Sequence, residues 1–211
     1  RESGKEAGQL RQPPQPTFIR GEGISLFTQA VIPGDYIKTM GRQGRLDSVL
    51  YAVATKAARK LAFRPPEPND LKASEAAKKE LERLRPEWER DGIIPTEQIP
   101  MGYNTNQILN FGYTTWASLF SPRQLLTLGV LVKELRLLHS EILREEGEDM
   151  GNAVVHLLSL AVDKLADYNS VRAEWIDERG VVGHTFKQHV FPFKATFAEL
   201  ASVVAGGGLE W

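Results

Sequence analysis

Apolar residues in the C-terminal two thirds of the chain recur at spacings of three and four, the period of an amphipathic helix. One stripe predicts a helix from the cap at Ser121 and Pro122 to about Arg144, through Leu125, Leu128, Leu131, Leu135, Leu138 and Ile142. A second stripe predicts a helix from about Asn152 to Arg172, through Val154, Leu157, Leu158, Ala161, Leu165 and Tyr168. Because only a short break bracketed by Gly147 and Gly151 separates them, we expect an antiparallel helix hairpin.

The N-terminal third carries shorter apolar runs that glycine and proline interrupt. Four strands are expected, at Thr17–Arg20, Ile24–Ile32, Leu50–Thr55 and Lys60–Arg64. The second ends in a turn at Pro33–Gly34, and the last two are joined near Ala57–Ala58. The polar, proline-containing stretch from Arg1 to Pro16 is expected to be an extended lead-in.

Three further signals complete the prediction. Asn69 or Asp70 is expected to cap a helix that runs to about Leu84 and that Pro86 ends. Thr196–Glu199 has the pattern of a capping box for a short last helix, and Gly206–Gly208 is expected to end the ordered part. The chain is therefore predicted to be α+β, with a β-rich head over residues 1–66 and a mostly helical body over residues 67–211.

Charge divides the chain at the same boundary. Residues 1–66 contain 11 Lys and Arg against 5 Asp and Glu, whereas residues 67–211 contain 15 against 22. A basic head on an acidic body permits phosphate contacts from the head only.

Composition excludes several classes of protein. No run of 18 apolar residues occurs, so neither a membrane span nor a membrane partner is expected. The first residues lack the apolar core of a signal peptide, and the absence of an initiator Met suggests a piece of a longer protein. The chain has no cysteine, which fits a cytoplasmic location and excludes disulfides and thiolate ligands.

The residues that usually carry catalysis form no recognisable arrangement. No glycine-rich phosphate loop or Gly-x-Ser-x-Gly elbow occurs, and no two histidines lie four residues apart on a helix. His139 and His156 are assigned to helix packing. Asp163 and Asp167 share a helix face, where solvation or pairing with a nearby cation is favoured over catalysis. We therefore expect no catalytic, cofactor-binding or metal-binding residues.

Two groups of residues remain as candidates for binding. Lys38, Arg42 and Arg45 stand among Gly34, Gly41 and Gly44, which predicts either a flexible loop that contacts phosphates or a merely solvated one. Tyr113, Trp116 and Phe120 flank the start of the first long helix. Trp116 can stack on a base or fill the core, and the core is favoured.

Three segments resemble one protein family in the same chain order: Ile32–Lys38, Phe111–Leu126 and Leu165–Ser170. Over about residues 21–200, the chain is similar to the large bacterial and archaeal adenine-specific DNA methylases that contain a zinc-ribbon module. In that family, such a region lies between an S-adenosylmethionine loop and an Asp-Pro-Pro-Tyr-type catalytic motif. Neither motif occurs here, so the resemblance implies that this chain alone binds no S-adenosylmethionine and is inactive.

The resemblance also implies a metal-free ribbon. Ser25 and Thr28 occupy the places where the family carries a Cys-x-x-Cys pair, so the ribbon shape is expected without zinc.

The implied function is that of a non-catalytic DNA-recognition region of an S-adenosylmethionine-dependent DNA amino-methyltransferase, acting on adenine N6 or cytosine N4. Its expected partners are duplex DNA and the remaining methylase domains, with phosphate contacts from Arg20, Lys38, Arg42 and Arg45. The alternative is a structural or protein-interaction scaffold that braces the catalytic halves and does not touch DNA.

Overall fold

A computed structural model describes residues 17–57, 60–187 and 189–202. The predicted lead-in from Arg1 to Pro16, the second residue of the turn at Ala57–Ala58 and the end at Gly206–Gly208 lie outside these ranges. The described residues form helices and short antiparallel strands, so the predicted α+β class is confirmed. None of the helices built from these residues is both long and apolar enough to cross a membrane.

The first described element is a three-stranded antiparallel sheet. Its strands are β1 (Phe18–Ile19), β2 (Glu22–Ile24) and β3 (Val31–Ile32), with Phe18 opposite Gly23 and Ile24 opposite Val31. The predicted single strand over Ile24–Ile32 is therefore wrong. The hydroxyl of Ser25 accepts hydrogen bonds from the amides of Phe27 and Thr28, and these bonds fold the segment into a turn.

Helix α1 (Gly34–Arg42) follows where the sequence predicted a turn and a flexible loop. Pro33 is its N-cap, Asp35 lies in its first turn and Arg42 in its last, so both charges complement the helix dipole. The helix is followed by its C-cap Gln43 and by Gly44, whose φ is 67°. Hydrogen bonds from Gly44 N to Gly41 O and from Arg45 N to Met40 O close this C-terminal turn. These local signals outweigh the low helix propensity of glycine.

A hairpin and a second helix connect the head to the body. The hairpin is β4 (Val53–Ala57) with β5 (Lys60–Arg64), which confirms two strands and shifts the first by about two residues. Helix α2 (Pro68–Arg90) is capped by Glu67 and Asp70 through reciprocal side-chain hydrogen bonds to backbone amides.

The prediction that Pro86 ends α2 is wrong, because the proline lies inside the helix. Pro86 is exposed, whereas Trp88, two residues later, is only 1% exposed and packs on Gly129. Burial of the indole stabilises the last turn and offsets the lost backbone hydrogen bond.

The long hairpin consists of α4 (Pro122–Glu146) and α5 (Glu148–Tyr168), with the short α3 (Asn106–Asn110) and a 3₁₀ turn (Trp116–Leu119) before it. The Ser121–Pro122 cap is confirmed, and a single residue, Gly147 at φ 81°, joins the helices. Gly151 lies inside α5 rather than in a break, and its Cα lies close against Leu143. The hairpin itself is confirmed, because α4 and α5 pack along one another.

The predicted stripes are only partly buried. Leu125, Leu128 and Leu165 lie in the core, but Leu157 and Leu158 are 66% and 42% exposed. His156 is also exposed, so its assignment to helix packing is wrong. His139 is exposed too, but it lines the groove between α4 and α5. The reason for this exposure is that α2 packs against α4 near its start, whereas the far end of the hairpin extends beyond this layer.

Two apolar clusters form the core beneath the start of α4. One joins Leu81, Trp88, Ile94, Ala117 and Leu125, and the other joins Ile99, Ile108, Leu119 and Val171. The predicted helix at Thr196–Glu199 is absent: this described segment has no regular secondary structure, and Glu199 accepts a hydrogen bond from Ser121 Oγ at 2.6 Å and pairs with Arg123 at 2.8 Å. The carboxylate expected to cap a local helix instead fixes the start of α4.

Short strands β6 (Trp175–Ile176) and β7 (Val181–Val182) pair after α5.

Candidate nucleic-acid interface

The basic residues of the head lie on a regular scaffold. Lys38 and Arg42 are four residues apart on α1 and therefore share one side of the helix, while Arg45 follows in its C-terminal cap. The expectation of a flexible loop for these three residues is thus corrected, because their backbone is hydrogen-bonded as a helix and its cap.

These cations differ in how far they are neutralised. Lys38 pairs with Asp35 at 3.1 Å, an exposed pair of small energetic weight. Arg42 donates to Thr39 Oγ1 at 3.3 Å and to the Asn110 carbonyl at 3.5 Å, neither of which carries a charge. Among the described residues, neither Arg42 nor Arg45 has an ion-pair partner, so both charges are available to an external anion.

Lys78 joins this group from α2, although no pattern in the sequence predicts a position beside Arg45. It lines a shallow concavity with Gly44, Arg45, Leu46 and Asp47. Lys78 is exposed, and its position depends on a contact between segments that lie far apart in the chain. No local pattern could have found it, whereas the Lys38–Arg42 spacing was visible in the sequence.

Arg20 stands apart from the other three. It occupies the turn between β1 and β2 at φ 53°, beside Gly21, whose carbonyl contacts Gly34 at the start of α1. Arg42 lies at the opposite end of α1, and nine residues of helix span about 13 Å. The four predicted phosphate ligands therefore form a group of three with Arg20 separated along the helix.

Aromatic packing anchors the basic helix to the body. Phe111 stacks on Phe193 with ring centroids 4.0 Å apart, and Phe18 meets both rings edge-on. Trp116 packs into the core with an edge-on contact to Phe191, and Tyr113 is covered enough for burial to raise the pKa of its phenol. The preference for core packing over base stacking at Trp116 is confirmed by this packing.

The segment from Ser25 to Ala30, where the resemblance predicts a metal-free ribbon, is a turn closed by side-chain hydrogen bonds. The Ser25 hydroxyl accepts from the amides of Phe27 and Thr28 at 3.3 and 3.2 Å, and the Thr28 hydroxyl accepts from Ala30 at 3.4 Å. Neutral hydroxyls are poor zinc ligands. Within the described ranges, no group of three His, Cys, Asp or Glu side chains could hold a metal ion.

A second polar cluster lies at the end of α5 and was not predicted. His184 Nδ1 lies 2.6 Å from Asp167 Oδ2, and His184 Nε2 lies 3.1 Å from the Tyr168 hydroxyl. Burial raises the pKa of Asp167, but the hydrogen bonds from His184 and the Phe186 amide and the charge of Lys164 outweigh it, so the pKa is lowered overall. The preference for a paired rather than catalytic Asp167 agrees with this contact, which ties α5 to the segment after β7.

Arg172 is the most unusual buried cation in the described chain. It is 4% exposed, its Nη2 donates to the Val190 carbonyl at 3.0 Å, and its guanidinium lies 4.1 Å from the ring centre of Phe191. Its Nε and Nη1 atoms have no hydrogen-bond partner among the described residues, and burial lowers its pKa. The neighbouring Glu174 is already paired with Lys187 and Lys194.

The segments that carry the family resemblance meet in space. α1 continues Ile32–Lys38 and packs on Phe111, while Val171, next to Leu165–Ser170, donates its amide to the Leu119 carbonyl at 2.8 Å. Comparison with models of known protein families, with curated proteins and with solved structures finds no match to this chain.

Proposed function

We propose that this chain is the non-catalytic DNA-recognition region of an S-adenosylmethionine-dependent DNA amino-methyltransferase. The observation that carries the proposal is the placement of Lys38, Arg42 and Arg45 along one helix and its cap, with Lys78 beside Arg45. Cations on a fixed scaffold suit the regularly spaced phosphates of a duplex, which position a protein without reading bases.

The contacts within this group support phosphate binding rather than catalysis. Arg42 and Arg45 have no ion-pair partner among the described residues, so bringing them to phosphate breaks no existing pair. In the proposed parent enzyme, the S-adenosylmethionine loop and the Asp-Pro-Pro-Tyr-type motif lie in other parts of the protein. This region then holds the duplex while a target base is flipped into the catalytic part.

The test is a salt titration of duplex binding. Each cation that neutralises a phosphate contributes about 0.9 to the slope of log affinity against log salt. The Lys38→Ala/Arg42→Ala/Arg45→Ala variant should therefore reduce the slope by about 2–3, with similar losses for unrelated duplex sequences.

A matched control removes the same charge from α2. Lys79, Arg83 and Arg85 are each paired with a glutamate, at 3.9, 2.6 and 3.1 Å. Their triple alanine variant should leave the slope unchanged. If the parent and the α1 variant had equal slopes of log affinity against log salt, α1 would not be part of the DNA interface.

The alternative function, a scaffold that braces the catalytic halves, has an observation of its own. α5 exposes leucines along its length, including Leu157 at 66% and Leu160 at 51%, on the acidic part of the chain. An acidic surface repels DNA, so this face suits a protein partner. Absence of any salt-dependent duplex binding by the parent chain would favour this function.

A further inference from the structure

Helix α5 carries a second apolar stripe on the side turned away from α4. Met150, Ala153, Leu157 and Leu160 follow one another at spacings of three, four and three, which is the a/d spacing of a coiled-coil seam. Met150, Leu157 and Leu160 are 58%, 66% and 51% exposed, and Ala153 is exposed as well. We call these four residues the outer stripe.

The outer stripe is distinct from the face that packs against α4. The latter includes Gly151, which contacts Leu143, and the buried Leu165. A helix that is apolar on both sides is normally buried on both sides. The outer stripe is therefore a surface that needs a covering partner, since three large side chains in one row are more than isolated exposed residues.

The edges of the outer stripe define the chemistry of that partner. Asp149, His156 and Asp163 lie seven residues apart along one edge of the outer stripe, and all three are exposed. The apolar row itself ends at Leu160, because the next position at this spacing is the exposed Lys164, which pairs with Asp167. The opposite edge consists of Val154 and Ala161. One edge is therefore acidic and the other apolar. Residues at these flanking positions select coiled-coil partners by charge.

From this arrangement we propose that the outer stripe docks an amphipathic helix of another protein segment, with a Leu- or Ile-type seam and a row of Lys or Arg beside it. A lysine at the position facing Asp149 or Asp163 completes a charge pair, whereas a glutamate adds repulsion. The partner therefore carries the opposite charge pattern to α5 itself.

The same edge argues against three other occupants. A second copy related by a two-fold axis brings the acidic edges together or places them against Val154 and Ala161. Duplex DNA is repelled by Asp149 and Asp163. Helices that lie on anionic membranes carry Lys and Arg beside the apolar face, not Asp.

The test uses two synthetic helical peptides of about three heptads, identical in their leucine seam. One carries lysine and the other glutamate at the flanking positions. Binding to the fluorescently labelled peptides is followed by anisotropy with the full 211-residue chain. The lysine peptide should bind, and the glutamate peptide should bind at least about tenfold more weakly.

Variants separate the seam from its edge. Leu157→Asp/Leu160→Asp should weaken lysine-peptide binding by about tenfold or more, because both side chains lie in the seam. Leu71→Asp is the control, since Leu71 is a 49% exposed leucine on α2, and it should leave binding unchanged. Asp149→Lys/Asp163→Lys should reverse the preference toward the glutamate peptide.

Several results would overturn the proposal. One is that neither peptide gives saturable binding, and another is that both peptides bind with equal affinity. A third is that Leu71→Asp weakens lysine-peptide binding as much as the seam variant does. A dimer in sedimentation that Leu157→Asp dissociates would assign the outer stripe to a second copy instead. Circular dichroism of each variant confirms that the exposed substitutions leave the helices folded.

Discussion

The backbones of Gly41 and Gly112 lie in direct contact, and each leaves no room for a side chain on the other. A Cβ at Gly41 would lie 2.2 Å from the Phe111 carbonyl oxygen, and a Cβ at Gly112 would lie 2.0 Å from the Gly41 carbonyl oxygen. Gly112 also has a φ of 89°, a left-handed conformation that residues other than glycine rarely adopt. This contact holds the basic helix against the body.

Alanine at either glycine should therefore destabilise the protein. We expect Gly41→Ala and Gly112→Ala each to cost about 1–3 kcal/mol or more, since α1 must move away from the 111–112 backbone. Gly102→Ala is the control, because a Cβ there meets its nearest atom at 3.7 Å and Gly102 is not among the glycines with positive φ. The measurement is urea unfolding. Equal free energies of unfolding for all three variants would contradict the tight contact between Gly41 and Gly112.

The sequence predicted those elements whose signals are local. The Ser121–Pro122 cap and the leucine spacing suffice to define α4. α1 was missed because Gly34 and Gly41 within it, and Gly44 just after it, suggest a loop. The reason for a glycine at position 41 is the close approach of Gly112, which is distant in the sequence. Likewise, the Lys38–Arg42 spacing is visible in sequence, but Lys78 reaches the same surface only through folding.

The exposed end of the hairpin changes what is expected of two leucines. Leu131 and Leu158 both belong to the predicted stripes, and burial of both in the core would make truncation of either to Ala cost about 2–5 kcal/mol. Leu158 is 42% exposed, so its loss should cost less than about 1 kcal/mol, whereas Leu165, at 2% exposure on the same helix, should cost about 2–5 kcal/mol. Chemical denaturation of Leu158→Ala and Leu165→Ala makes the comparison. Similar losses would show that the outer half of α5 is covered.

Arg172 offers a test of charge burial. Within the part of the chain that the structure describes, its Nε and Nη1 have no acceptor, and burial lowers its pKa. Because an unpaired buried charge is costly, Arg172→Met should be at least as stable as the parent in denaturant unfolding. Arg136→Met is the comparison: this exposed arginine donates to the carbonyls of Asp91 and Gly92 at 2.7 and 2.9 Å. A loss above about 1 kcal/mol in Arg172→Met would mean that the guanidinium is satisfied in solution.

The contact between Asp167 and His184 should affect how the free energy of unfolding falls at acid pH. The folded-state pKa of Asp167 is below its ordinary value of 3.8. Its contribution is therefore present above pH 3.8 and is lost as the pH falls through the folded pKa. Asp167→Asn should flatten the decline of stability below about pH 4. Asp163 is an exposed residue one turn earlier, and the stability of Asp163→Asn should fall with pH as that of the parent does. If Asp167→Asn also lost stability with falling pH as the parent does, the Asp167–His184 contact would not contribute to stability.

Lys78 provides the sharpest test of the proposed DNA surface, because the fold rather than the sequence motif places it there. If Lys78 and Arg45 contact one duplex, Lys78→Ala should reduce the slope of log affinity against log salt by about 0.9. The next residue supplies the control: Lys79 pairs with Glu75 at 3.9 Å and is not part of the concavity beside Arg45. Lys79→Ala should leave the slope unchanged. Lys78 and Lys79 are neighbours in sequence but point to different sides of α2, so a defined DNA surface should respond to the loss of Lys78 only. Equal effects of the two variants would mean that duplex binding depends on the net charge of the chain alone.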